Sequence, residues 1–116
     1  GRVALVAGGA GYLGRQISEV LAELGSHVAI LSRNSEACDK AAREMESEFP
    51  GVECLSGNMD LMDGQSIKQG VKKVRDWKGK IDIVVTCAWS GKKNSLESIT
   101  DEDWNYDIEI CLNGIF

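Results

Sequence analysis

The chain has 116 residues, 43% hydrophobic and 27% charged, with 13 basic against 18 acidic side chains and a net charge of −5. That length carries one small domain with a core, and the acidic balance, with a pI near 4.8, argues against binding nucleic acid or other polyanions. No apolar run approaches the roughly 20 residues of a membrane span, and Gly1-Arg2-Val3-Ala4-Leu5 lacks the charged-then-apolar plan of a signal peptide.

Val3-Ala4-Leu5-Val6-Ala7 is a short apolar run that meets a glycine cluster, and it reads as a strand buried on both faces. Leu13, Ile17, Val20, Leu21 and Leu24 then recur at helical steps, predicting a helix with one apolar stripe that Gly25 ends. His27-Val28-Ala29-Ile30-Leu31 reads as a second strand. Asn34 or Ser35 can cap a second helix carrying Cys38, Ala41, Ala42, Met45 and Phe49, stopped by Pro50-Gly51. Val52-Glu53-Cys54-Leu55 is the expected third strand. Asp63 can cap a third helix that turns Ile67, Val71, Val74 and Trp77 inward and closes at Gly79. Ile81-Asp82-Ile83-Val84-Val85 is the expected fourth strand, and Ser90 to Asn94 a polar loop. Thr100-Asp101-Glu102-Asp103 fits a capping box opening a last helix, expected to bury Trp104, Ile108, Cys111 and Ile115 and to run on to Phe116.

The order is β-α-β-α-β-α-β-α. Such alternation calls for parallel strands joined by right-handed helical crossovers. The expected fold class is therefore α/β: a doubly wound, Rossmann-type parallel sheet of order 3-2-1-4 in a three-layer α/β/α arrangement. All of residues 1–116 form one unit, with the ligand crevice beside strands 1 and 4. Cys38, Cys54, Cys87 and Cys111 contain no CxxC pair, and His27 is the only histidine. No metal site is expected, and reduced, mostly buried thiols point to a cytoplasmic protein. The lysines and arginines at Lys68, Lys72, Lys73, Arg75, Lys78 and Lys80 read as a solvated face, several complementing a helix dipole.

Gly8-Gly9-Ala10-Gly11-Tyr12-Leu13-Gly14 lies between the first strand and the first helix and contains GxGxxG at Gly9, Gly11 and Gly14. That is the context a dinucleotide-binding turn requires. Glycines let the chain turn tightly, let phosphates approach the backbone and let the helix approach the strand. The helix N-terminus supplies free N–H groups and partial positive charge.

On these residues the chain resembles the short-chain dehydrogenase/reductase family along its whole length. Ala7-Gly8-Gly9-Ala10-Gly11-Tyr12-Leu13-Gly14 is similar to the family's TGxxGxxG glycine motif, a spacing more usual in the extended branch of epimerases and dehydratases. Asp60-Leu61 resembles the pair that holds the adenine ring in the short branch. Trp104 and Cys111-Leu112-Asn113-Gly114 resemble that branch's next helix, with Asn113 in the place of the catalytic Asn. The resemblance implies a nicotinamide cofactor contacted by Gly8, Gly9, Gly11, Tyr12, Leu13, Gly14, Asp60 and Leu61. It also implies Cys87, Ala88 and Trp89 as contacts, although Thr86-Cys87-Ala88-Trp89 replaces the usual Asn-Asn-Ala-Gly.

An NAD site of this type ends its second strand with a carboxylate. Here the stretch is Leu31-Ser32-Arg33-Asn34, with no carboxylate until Glu36. Ser32, Arg33 and Asn34 are candidate cofactor contacts, and Ser32 and Arg33 can donate to a 2′-phosphate. Arg15 resembles a second basic residue of NADP-preferring members. NADP(H) is the expected cofactor, with NAD(H) the alternative.

The family's Ser and Tyr-x-x-x-Lys have no counterpart here, since Tyr12 is followed by Gln16 and Tyr106 by Ile110. The chain is thus expected to be the N-terminal, cofactor-binding part of a longer homo-oligomeric protein, and inactive alone. The implied activity is an oxidoreductase interconverting an alcohol and a carbonyl on a small molecule, with the hydride passing to or from NADP(H). A sugar-nucleotide epimerase or dehydratase and a noncatalytic NADP-binding regulator are the alternatives.

Overall fold

The computed structural model describes residues 1–89 and 95–116; the polar loop expected at residues 90–94 lies outside them. The chain runs β1 (Val3–Ala7), α1 (Tyr12–Glu23), β2 (His27–Ser32), α2 (Ser35–Glu48), β3 (Cys54–Asn58), α3 (Gly64–Lys78), β4 (Ile83–Thr86) and α4 (Asp101–Ile108), which continues into a π turn at Glu109–Asn113. The strands form one parallel sheet in the order β3-β2-β1-β4. This is the Rossmann-like arrangement the alternation demands.

Successive strand residues point to opposite faces, and each face has its own core. On one face Val3, Leu5, Ala7, Ala29 and Leu31 pack with Met59, Leu61, Val74 of α3 and Ile110 of the π turn. On the other, Val6, Val28 and Ile30 pack with Ala22 of α1 and with Cys38, Ala41 and Met45 of α2. The caps read from the sequence are in place. Asn34 accepts from the Ala37 N–H and Asp63 from the Gln65 N–H. Thr100 and Asp103 close a reciprocal capping box.

Four expectations need correction. The buried face of α1 carries Gly14, Ser18 and Ala22, while Leu13, Val20 and Leu24 are exposed. The helix lies so close to the glycine turn that a Cβ on Gly9 would stand 3.2 Å from Ser18 Oγ, and only small side chains fit such an approach. β3 begins at Cys54, two residues late, and extends through Ser56-Gly57-Asn58. Val28 pairs with Cys54 and Ser32 with Asn58, so backbone pairing, which ignores side-chain polarity, sets the strand.

β4 starts at Ile83 because Asp82 interrupts the ladder. Its carboxylate accepts the Val3 N–H at 2.8 Å, while its own N–H donates to the Val3 carbonyl at 2.9 Å. In the last segment Ile110 is the buried residue, whereas Trp104 is 60% exposed and Cys111 and Ile115 are exposed. The regular helix stops at Ile108, and the wider π turn changes the phase of the residues that follow.

Candidate nucleotide-binding crevice

The C-terminal ends of all four strands open into one crevice of about 330 Å³. β1 contributes Ala7 and the turn residues Gly8, Ala10 and Gly11. β2 and the start of α2 contribute Leu31, Ser32, Arg33, Asn34 and Ala37. Met59, Asp60 and Leu61 follow β3; Cys87, Ala88 and Trp89 follow β4; Ile110 comes from the π turn. This is where ligands bind in open parallel sheets, beyond the carboxyl ends at the reversal of strand order.

The turn after β1 depends on two glycines. Gly8 has φ +79°, and a Cβ there would meet the Ala88 nitrogen at 2.7 Å. A Cβ on Gly14 would lie 2.1 Å from the Gly8 carbonyl oxygen. The first contact presses the β1 turn against the β4 turn; the second presses α1 onto the β1 turn. Gly11 is less constrained, since its Cβ would meet only ordinary contact at 3.4 Å. It is the N-cap of α1, has no capping side chain and precedes a first turn with no acidic residue. The first N–H groups of α1 therefore have neither a side-chain acceptor nor an adjacent negative charge, and they suit a phosphate.

At the β2 end, Ser32 Oγ accepts the Asn34 N–H at 3.1 Å and lies 3.1 Å from Cys38 Sγ. Asn58 Nδ2 donates to the Arg33 carbonyl at 3.2 Å, and Arg33 Nη1 donates to Tyr106 Oη at 3.5 Å. Among the described residues no carboxylate pairs with Arg33. Asp60 Oδ1 accepts the Met62 N–H at 2.9 Å, and the Asp60 N–H donates to Ser66 Oγ at 2.9 Å. Asp60 thus shapes its own turn while lining the crevice. Trp89, 68% exposed, also lines the crevice.

Ten of the expected site residues meet in the crevice: Gly8, Gly11, Ser32, Arg33, Asn34, Asp60, Leu61, Cys87, Ala88 and Trp89. Six do not line it. Gly9 packs toward Ile30, and Gly14 toward Gly8. The side chains of Tyr12 and Leu13 are exposed, so these two residues can serve only through backbone N–H groups. Arg15 Nε binds Glu19 at 2.8 Å and Nη1 binds Glu44 at 2.9 Å. Partial burial opposes its charge, but the two carboxylates outweigh that and hold its pKa above the ordinary value. Arg15 is thereby committed away from the crevice. Asn113 is exposed on the π turn, and its amide donates to Glu109 Oε2 at 2.9 Å.

Sequence reading missed Ala7, Ala10, Leu31, Ala37, Met59 and Ile110 as wall residues. Met59 and Leu31 adjoin candidates and could have been included on that ground. Ile110 could not, because only the π turn brings it inward.

The donor set fits an anionic dinucleotide: an uncapped helix start, a guanidinium with no carboxylate partner among the described residues and an apolar floor of Leu31, Met59 and Leu61. Comparisons agree. The family described as "short chain dehydrogenase" matches residues 2–116. The 3-oxoacyl-(acyl-carrier-protein) reductase of Escherichia coli (strain K12) is 31% identical over the whole chain, which spans 46% of that protein. The 2,3-dihydro-2,3-dihydroxybenzoate dehydrogenase of Bacillus subtilis (strain 168) is 26% identical over the whole chain, which spans 44% of it. The alcohol dehydrogenase of Thermococcus sibiricus, complexed with 5-hydroxy-NADP, superimposes with a TM-score of 0.91 at 31% identity, covering 98% of this chain and 48% of that one. L-sorbose reductase of Gluconobacter frateurii, complexed with NADPH and L-sorbose, gives 0.91 at 28% identity, covering 99% and 43%. The chain thus spans under half the length of these relatives. No helix among the described residues is long and apolar enough to cross a membrane.

Proposed function

Since the chain belongs to the short-chain dehydrogenase family, we propose that it is the NADP(H)-binding half of an oxidoreductase that interconverts an alcohol and a carbonyl on a small molecule. One observation carries the cofactor preference: at the end of β2, where an NAD site places a carboxylate, stands Arg33, with no ion-pair partner among the described residues. A carboxylate there would repel a 2′-phosphate, whereas a guanidinium donates to it in a planar fork. The bound NADP analogue and NADPH of the two structural relatives support the same choice. The named relatives are dehydrogenases and reductases, so the epimerase alternative gains no support from them.

In this reading the α1 N-terminus and the Gly8–Gly11 turn hold the pyrophosphate. Leu61 lies beside the adenine, and Asp60 accepts from its amino group with the oxygen that does not serve Met62. Ser32 and Arg33 hold the 2′-phosphate, while Cys87, Ala88 and Trp89 form the wall leading toward the substrate. The cofactor, when bound, supplies or takes the hydride. Arg15 is engaged by Glu19 and Glu44, and Asn113, in the place of the catalytic Asn, turns its amide to Glu109.

The test is a binding titration of full-length protein with NADPH and NADH. Arg33→Ala is expected to cost about 1.5–3 kcal/mol toward NADPH, roughly tenfold or more in affinity, and little toward NADH. Equal losses toward both cofactors would refute the assignment.

A further inference from the structure

Arg33 is anchored at three points, and the third lies on a distant element. Its carbonyl is held by Asn58, its loop by the Ser32–Asn34 contact, and its guanidinium reaches Tyr106 Oη at 3.5 Å, 73 residues away in sequence. Tyr106 belongs to α4 and stands one turn before Ile110, whose side chain is 4% exposed. The Tyr106 ring packs against the core cluster that contains Ile110 and Leu61. Beyond the π turn, Gly114 is pressed against Leu61, where a Cβ would stand 2.6 Å from the Leu61 carbonyl oxygen. The phenol oxygen is therefore carried on a seated ring, while the arginine is a long, exposed side chain.

We infer that Tyr106 is a positioning residue for Arg33 and sets how strongly the crevice selects a 2′-phosphorylated adenosine. The inference rests on the proposed reading of Arg33. A free arginine loses much rotamer entropy when it is ordered by a ligand. One already held at its tip by an acceptor loses less, which strengthens binding without any new contact to the ligand. A phenol suits the task because it accepts from the guanidinium yet carries no charge to repel a phosphate, unlike the carboxylates that hold Arg15. The effect is confined to ligands that use the guanidinium, so it appears in selectivity and not in adenosine binding generally.

The experiment is a double-mutant cycle in the full-length protein with Arg33→Ala, Tyr106→Phe and the pair. Binding of NADPH, NADH, 2′,5′-ADP and 5′-AMP is titrated for each. Phe keeps the ring in the core, and unchanged affinity for NADH and 5′-AMP reports an intact crevice. Tyr106→Phe is expected to weaken NADPH and 2′,5′-ADP about threefold, leave the other two unchanged, and have no further effect once Arg33 is Ala. If Arg33→Ala is selective but Tyr106→Phe changes nothing, or weakens all four ligands alike, the inference falls and the reading of Arg33 stands. If Arg33→Ala weakens all four alike, both fall.

Discussion

Two halves of the molecule are built from similar residues and packed very differently. In β1 every residue is buried, and in β2 the four central ones are; Cys38 and Met45 of α2 are sealed against them. In β4 no residue is fully buried although Ile83, Val84 and Val85 are as apolar as any in β1, and Val84 is 62% exposed. No residue of α4 is buried either, and the segment is seated through Ile110 of the π turn. A parallel strand is apolar on both sides because both sides are meant to be covered. β4 has the apolar composition of such a strand without its burial.

The sharpest probe of the tight half is Gly14→Ala. Its Cβ would collide with a backbone oxygen that no rotamer change can move, so a loss of about 3 kcal/mol is expected from chemical denaturation. Gly11→Ala, in the same turn but meeting only an ordinary 3.4 Å contact, should stay within about 1 kcal/mol. Similar losses for the two would mean that the turn is looser than its contacts show. Next, Val6→Ala should cost about 2 kcal/mol and Val84→Ala under about 0.5 kcal/mol in this chain. Equal costs would erase the contrast between the halves.

Thiol alkylation at pH 8 reads the same contrast by chemistry. Burial, reinforced by the Glu46 carboxylate, pushes the Cys54 thiol up to about 11, and burial also raises that of Cys38. Both should react at least an order of magnitude more slowly than exposed Cys111. A faster Cys38 would mean that the α2 side opens first. The smallest effect is expected at the seam between the halves. The Val3 N–H, helped by Lys80, holds the Asp82 carboxyl below its ordinary pKa. A depressed carboxyl contributes stability above its unfolded pKa of about 4 and loses it as pH falls through the folded value. Wild type and Asp82→Asn should thus differ at pH 6 and converge toward pH 3 in unfolding midpoint; a constant offset would assign the contact no ionic character.

The strand order and the helix caps at Asn34, Asp63 and Thr100 were legible because alternation and capping are local patterns. So were ten crevice residues, since strand ends and glycine turns announce themselves. What escaped depends on distance in space. Arg15 was expected beside the cofactor, but Glu44, far along the chain, sits 2.9 Å away and engages it together with Glu19. Tyr106 drew notice only as a tyrosine without the Tyr-x-x-x-Lys spacing, because its partner Arg33 lies on another element. Leu13, Ile17, Val20, Leu21 and Leu24 formed a convincing stripe, but close approach to the sheet selects for small side chains; Leu13, Val20 and Leu24 are exposed, and Leu21 packs at the edge of the core.

The Asp82–Val3 clasp also bears on the order in which the sheet assembles. The two residues are 79 positions apart, roughly three times the separation of Val3 from its β2 partner His27, and closing the longer loop costs about 1 kcal/mol more in chain entropy. β1 and β2 therefore meet early, and β4 arrives as a late addition whose alignment must be found against a ladder already built. A side chain that captures the first amide of β1 while its own amide is captured in return permits one alignment and penalises a slip by one residue. The clasp thus acts as a register pin for the slowest-forming pair of strands.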